Sequence, residues 1–498
     1  MAIPLVVRLC EALRQEHVSY CQWKSNRKLE RWLQGEGDLD LLVARSDAGN
    51  FACVLHRLGF KQARPTDDRQ LPGVCDYYGF DEEARRFVHL HVHYQLVLGH
   101  DLTKNFRLPL ESSYLETASR NELMPTPAAE FELILFVLRM VLKYRLTETA
   151  LRSLAGAKNS SGASIREEVA FLEAKSSRKK VEALLGEHLP FVGVGFFDEC
   201  VHTLGGECSA RRRVAVRRKL ERRLGTHARR TLWSDKLVQA ARLVKRSISE
   251  RALRRPARKR LTAGGALVAL VGGDGAGKTT AIKGLHRWLS KKFVVKRFHL
   301  GRPPRSALTL AVIVALRLRA LLPGAPPDAH AATSIEGSSV RSGVHATPPF
   351  PGYLRLLRWV LASRDRRRLY ARARRFATNG GVAICDRFPV ERLRLMDGPN
   401  IARCVAPAAR SNWLVRLLLE AEERNYAQFM EPDLLFVLRV EPEVAVKRKP
   451  SERVDHIRTR SRELWEQDWD GTRACVVDAG RPAAEVLAHL QKVVWENL

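Results

Sequence analysis

The chain has 498 residues, of which 45% are apolar and 28% charged. That composition supports packed cores and argues against a disordered polymer. Lysine and arginine total 85 against 54 acids, a formal charge of +31, which excludes indifference to polyanions and points to phosphate-bearing partners.

Roughly 100–200 residues per domain predicts roughly two to four domains for this length. The nine cysteines are odd in number and form no CxxC pair, so they argue against a disulfide framework or zinc ribbon and for a reducing, cytoplasmic setting. The opening MAIPLVVRLCEALRQEH lacks a basic start followed by a long apolar core, so no signal peptide is expected. The longest apolar run, near 307–316, falls well short of the roughly 20 residues a membrane helix needs. The predicted class is α/β in three blocks: an α+β domain over 1–150, a helical and strongly basic connecting region over 151–262, and a parallel sheet flanked by helices over 263–498.

In the first block, DLDLLVA predicts a strand. Its alternation sets Asp38 and Asp40 on one face and leucines on the other. Two such carboxylates can share divalent metal. Lys24-Ser25 lies just upstream and can reach a triphosphate. FVHLHVHY predicts a second strand with His89, His91 and His93 on one face. That face reads either as polar packing beside a cleft or as an imidazole pair for one metal ion. The later KNFRLPLE assigns no role, and AEFELILFVLRMVLKY is long and apolar enough for a buried helix.

The charge concentrates in 211–260, with 20 Lys and Arg against three acids, a net of +17. The run reads either as a nucleic-acid or anionic-membrane surface or as a solvated helical connection. Trp233 is its single aromatic, which counts against base stacking.

The third block opens with ALVALVGGDGAGKTTAIKGLHRWL. Gly272, Gly277, Lys278 and Thr279 satisfy GxxxxGK[ST], between an apolar strand and an amphipathic helix. Gly272, Asp274, Gly275, Gly277, Lys278, Thr279 and Thr280 are the expected ATP-binding residues. Glycines let backbone N–H groups surround phosphate oxygens, and the helix adds its positive end. Lys278 neutralises β/γ-phosphates and Thr279 ligates Mg2+. The Gly-, Pro- and Ser-rich stretch 323–352 is expected to be disordered or a mobile lid.

GGVAICDRF predicts a buried strand ending in Asp386-Arg387. Asp386 then sits at the carboxyl edge of the sheet to hold Mg2+ or orient an acceptor, and Arg387 can clamp an acceptor phosphate. EPDLLFVLRVEPEVAVKRK predicts another strand and helix, leading into a basic segment. There Arg448, Lys449 and Arg453 are candidates to neutralise the transferring phosphoryl group.

Residues 263–498 resemble the thymidylate kinase-like family of P-loop kinases. GGDGAGKTT matches its DGxGKTT loop, CDRF its DR(Y/F) motif, and EPDLLFVL with PEVAVKRK its PDL strand and the start of its lid. The resemblance implies ATP and Mg2+ as cofactors, Asp386 and Arg387 facing the acceptor, and the dimeric state common in such domains. HLGRPPRS stands where that family carries an REPGGT-like segment, and DRFPVERLRLMDGP replaces the stretch that shapes a thymine pocket. The acceptor is therefore expected to be a nucleotide or another phosphorylated small molecule, with dTMP unassigned.

GEGDLDLLV, with the helix and Gly59-Phe60 that follow, resembles the nucleotidyltransferase superfamily. That resemblance implies a third carboxylate on a later strand. His89 stands in its place, leaving Asp76 and Asp81 as substitutes. End to end, the chain resembles a bacterial fusion of the two domain types. The expected function is ATP/Mg-dependent phosphotransfer. The alternatives are a nucleotidyltransferase regulated by its P-loop domain, and a non-catalytic polyanion binder.

Overall fold

A computed structural model describes the chain except for residues 1, 25, 66–69, 72, 120–121, 144–159, 206–207, 248–257, 322–349, 391, 394–397 and 450–453. Most of the 323–352 stretch, the 248–257 part of the basic run, Ser25 and Arg453 therefore lie outside the described residues. Two compact units appear, Met1–Ala257 and Arg258–Leu498.

The first unit is built on β1 (Tyr20–Gln22), β2 (Asp38–Val43), β3 (Lys61–Pro65), β4 (Val74–Asp81) and β5 (Arg86–His93), in the order β1-β2-β5-β4-β3. β2 and β5 run parallel, with Asp38 beside His89, Asp40 beside His91 and Leu42 beside His93. β1 pairs antiparallel with β2, and β4 antiparallel with both β3 and β5. A separate ribbon joins β6 (Leu96–Leu98) to β7 (Phe106–Leu108).

Alternation along β2 and β5 sorts the two faces. Leu39, Leu41, Val43, Val88, Leu90 and Val92 form one core with the helices Pro4–Gln15 and Ala48–Arg57. The intervening positions carry Asp38, Asp40, His89, His91 and His93. Leu42, also on that second face, packs in a different core with Trp23 and the helix Ala129–Lys143.

That helix is buried almost all round, as its unbroken apolar run requires. Its core is completed by Val169, Leu172, Val181, Leu185, Phe197 and Leu220 from helices further along the chain. The helices expected as a connection thus share a core with the first block. Their apolar positions were visible in sequence, but the surface that receives them was not.

In the second unit, β8 (Lys259–Leu261) makes a parallel bridge from Lys259 to Phe293. The main sheet comprises β9 (Leu267–Gly272), β10 (Val295–His299), β11 (Val382–Asp386), β12 (Leu434–Arg439) and β13 (Ala474–Asp478). Their order is β10-β11-β9-β12-β13, and every pairing is parallel. Parallel strands need crossovers, and helices such as Lys278–Leu289, Tyr353–Thr378 and Trp413–Tyr426 supply them. The central β9 is flanked by β11 and β12, so the strand order reverses beside it. Its carboxyl end is where an open α/β sheet forms a ligand crevice. The unit is a mixed α/β structure with a parallel sheet flanked by helices. Among the described residues, no helix is long and apolar enough to cross a membrane.

Candidate functional site

The second unit brings its candidates to the carboxyl edge of the sheet. Strand β9 ends at Gly272 and the helix starts at Lys278, so GDGAG spans the turn between them. Gly275 (φ +83°) and Gly277 (φ +79°) take left-handed conformations that a side chain disfavours. At Gly275 a Cβ would also come within 2.7 Å of the Ala445 carbonyl oxygen. The helix Pro442–Arg448 therefore closes on the turn only because glycine is there.

Lys278 is buried and bends back over the turn. Its Nζ donates to the carbonyl oxygens of Gly272 and Gly273, each at 2.7 Å. Burial pushes its ammonium down to about 8, against the opposing pull of Asp274. The charge of Lys449 also reaches Lys278. Thr279 and Thr280 open the helix and are exposed.

Asp274 is held by cations. Arg460 Nη1 lies 2.9 Å from Oδ2, and Arg387 Nη2 lies 3.6 Å from Oδ1. Burial alone would raise this carboxyl, but Lys278 and then Arg460 outweigh it and hold it below its usual range. Arg387 adopts φ +57°, unusual for a bulky non-glycine residue and found where a site over-determines the backbone.

Asp386 ends β11, paired with Leu270 of β9 and His299 of β10. His299 Nε2 lies 3.9 Å from Asp386 Oδ2, while Oδ1 is buried with no hydrogen-bond partner among the described residues. A buried carboxylate oxygen left that way fits a cation or its water, so the residues present suit Mg2+.

One of the expected cations is placed differently. Arg448 donates to the carbonyl oxygens of Ala479 (2.8 Å) and Gly480 (3.3 Å), bracing the turn after β13. Arg453 lies outside the described residues. Arg460, on the helix Val454–Glu466, was not singled out in sequence. It belongs to a run of arginines in which nothing local marks the one that meets Asp274. The neighbouring Ser461 sits against the turn as well, since a Cβ at Gly273 would meet its Oγ at 2.7 Å.

In the first unit the acids and histidines form a chain of contacts. His89 lies between two carboxylates, with Nδ1 2.6 Å from Asp38 Oδ1 and Nε2 2.8 Å from Asp76 Oδ1. The ring of Tyr78 stacks on it at 4.4 Å. Of the two substitutes for a third acid, Asp76 reaches this cluster. Asp81 instead accepts from the backbone N–H groups of Leu5 and Ala84.

Asp40 accepts from Lys24 Nζ at 2.6 Å, and His91 Nδ1 lies 2.9 Å from the same oxygen. Lys24 is steered there by its neighbour. The Trp23 N–H donates to the Asp40 carbonyl, and Tyr114 Oη donates to the Trp23 carbonyl. Burial works against the Asp40 charge, but Lys24 and His91 outweigh it and hold the carboxyl well below the usual range. Lys104, the first residue of the unassigned KNFRLPLE, is half-buried nearby. Burial, followed by the charge of Lys24, pushes its ammonium down to about 7.

No known protein-family profile matches the chain. Over 236 residues, 46% of its length, the chain is 25% identical to "Uncharacterized ATP-binding protein YghR" of Escherichia coli strain K12, covering 86% of that protein. The same identity and coverage hold for the protein of that name from Escherichia coli O6:H1. The similarity supports an ATP-binding domain in this chain.

Proposed function

We propose that the second unit is an ATP- and Mg2+-dependent phosphotransferase of the thymidylate kinase-like type, acting on a nucleotide or another phosphorylated small molecule. The observation that carries this reading is the folded-back Lys278, whose ammonium is stored on two loop carbonyls where phosphate oxygens can replace them. The similarity to proteins described as ATP-binding supports the nucleotide half of the reading.

The chain's own groups divide the work. Backbone N–H groups at the start of Lys278–Leu289 and the Lys278 ammonium bind the phosphates. Thr279 and Asp386 would hold Mg2+, which neutralises charge on the phosphate oxygens when bound. Arg387 orients an anionic acceptor. Arg460, once it leaves Asp274, offers a guanidinium to the charge that develops in transfer. Lys449, whose charge already reaches Lys278, adds to that field. The test is transfer of γ-label from ATP to a panel of phosphorylated acceptors, which Lys278→Ala should abolish.

A second reading, α-phosphate transfer by a nucleotidyltransferase-like first unit, draws on Asp76. It joins Asp38 at His89 and supplies the acid that the third position lacked. The chain then reads as a fusion of the two domain types. An α-labelled ATP arm in the same screen tests it.

A further inference from the structure

We infer that the first unit holds one late first-row divalent cation, Zn2+ in kind, on Asp40, His91 and His93. The inference is independent of phosphotransfer by the second unit.

Three potential ligand atoms converge at one place: a carboxylate oxygen of Asp40, His91 Nδ1 and His93 Nε2 all lie within 4.8 Å of one another. Asp40 Oδ1 is 2.9 Å from His91 Nδ1, which is 3.3 Å from His93 Nε2. Ligands about 2.0–2.1 Å from a tetrahedral zinc are separated from each other by roughly 3.3 Å. Two of the three ligand pairs are thus already spaced close to the edges of such a polyhedron.

Protons alone serve this arrangement poorly. His91 Nδ1 faces both the Asp40 carboxylate oxygen and His93 Nε2, and the one N–H it can carry cannot point well at both. A single cation at the centre satisfies all three.

The positions are also fixed in advance. Asp40 and His91 are paired across neighbouring parallel strands, and His93 follows His91 on the same face of β5. His93 is fully buried and packs edge-on against Trp23 (4.9 Å) and His91 (4.5 Å). Lys24 supplies the positive charge at Asp40 when no ion is bound.

The donor set selects the metal. Two imidazoles and one carboxylate suit zinc, cobalt or iron(II), whereas Mg2+ prefers oxygen throughout. Three protein ligands leave a further position open, the pattern of a reactive site rather than a closed structural one. Asp38 and Asp76 do not converge with these three atoms and meet at His89 instead.

The test is titration of the full chain with Zn2+ by calorimetry and with Co2+ by visible absorption, under reducing conditions. One ion per chain is expected, with ligand-field bands of a four- or five-coordinate Co2+ site. His91→Ala and His93→Gln should each weaken binding by more than the roughly 10–100-fold typical of losing a mere supporting contact. Cys53→Ser, which alters an exposed thiol outside the set, should leave it within about threefold. Because His93 is buried, the wild-type Co2+ spectrum stands as a separate readout that needs no variant. No stoichiometric ion, octahedral bands only, a thiolate charge-transfer band that assigns the ion to cysteine, or unchanged affinity in a folded His91→Ala protein would each overturn the inference.

Discussion

Arg460 and Asp274 are 186 residues apart in sequence and 2.9 Å apart in the fold, joined as an ion pair across the glycine-rich turn. The pair couples the helix Val454–Glu466 to the loop that carries Lys278. If Arg460 moves from Asp274 to the transferring phosphoryl group, its loss should be felt in the transition state more than in ATP binding. Arg460→Ala is expected to lower kcat for γ-transfer by about a hundredfold and to change the ATP dissociation constant by less than about tenfold. Arg448→Ala, which loses two carbonyl contacts after β13, should instead cost about 1 kcal/mol of stability and leave kcat within about threefold. Steady-state kinetics and thermal unfolding of both variants separate the two roles.

Protonation of Lys278 gives a second handle. Burial holds its ammonium at about 8 in the free protein, and bound phosphates should favour the charged form again. Below pH 8 the lysine is already charged and binding releases or absorbs little. Above it the lysine is neutral until phosphate binds, so binding takes up a proton and affinity falls as pH rises. Calorimetry of ATP binding at pH 9 in buffers of different ionisation enthalpy should register close to one proton absorbed, lost in Lys278→Met.

The first unit should respond to acid through Asp40. Its folded carboxyl is held below the unfolded value of about 3.9, so its contribution is present at neutral pH and lost as pH falls below about 4. Asp40→Asn leaves Lys24 without its ion partner in a mostly buried site and should cost about 3–5 kcal/mol. Combined with Asp38→Asn it should abolish any α-phosphate transfer but retain γ-transfer, provided urea titration shows the second unit folded. Loss of γ-transfer in that folded protein would mean the two chemistries are coupled.

How much of this was legible in sequence depended on distance along the chain. GGDGAGKTT announced a strand, a turn and a helix because all three are contiguous, and alternation placed Asp38 and Asp40 on one face. The partners of these groups were not legible. Asp76 reaches His89 through the antiparallel register of β4 and β5, and Arg460 reaches Asp274 through the packing of a distant helix. Neither register nor packing leaves a mark in a local window. Lys104 was hidden for a related reason, since its depressed ammonium comes from burial and from Lys24, not from its neighbours in KNFRLPLE.

Within the basic run, several cations are occupied by the fold. Arg217 pairs with Glu221, Lys219 with Glu199, and Arg223 and Arg242 donate to backbone carbonyls. The electrostatic footprint available to a polyanion is smaller than the +17 of the segment suggests. Affinity for duplex DNA, RNA or anionic vesicles should still fall steeply between 50 and 200 mM salt, by roughly tenfold or more if a few phosphates are neutralised. Filter binding or vesicle co-sedimentation across that range checks it, and salt-independent or undetectable binding would assign the run to structure alone.

The most direct measurement uses ATP labelled separately at the γ- and α-phosphates, incubated with Mg2+, a panel of nucleoside monophosphates and other phosphorylated acceptors, and either the full chain or Lys278→Ala. γ-Label should appear on at least one acceptor, and Lys278→Ala should reduce that transfer by about a hundredfold or more while remaining folded. Transfer of γ-label that is unchanged in folded Lys278→Ala, or label transferred from the α-position alone, would contradict phosphotransfer at the glycine-rich loop.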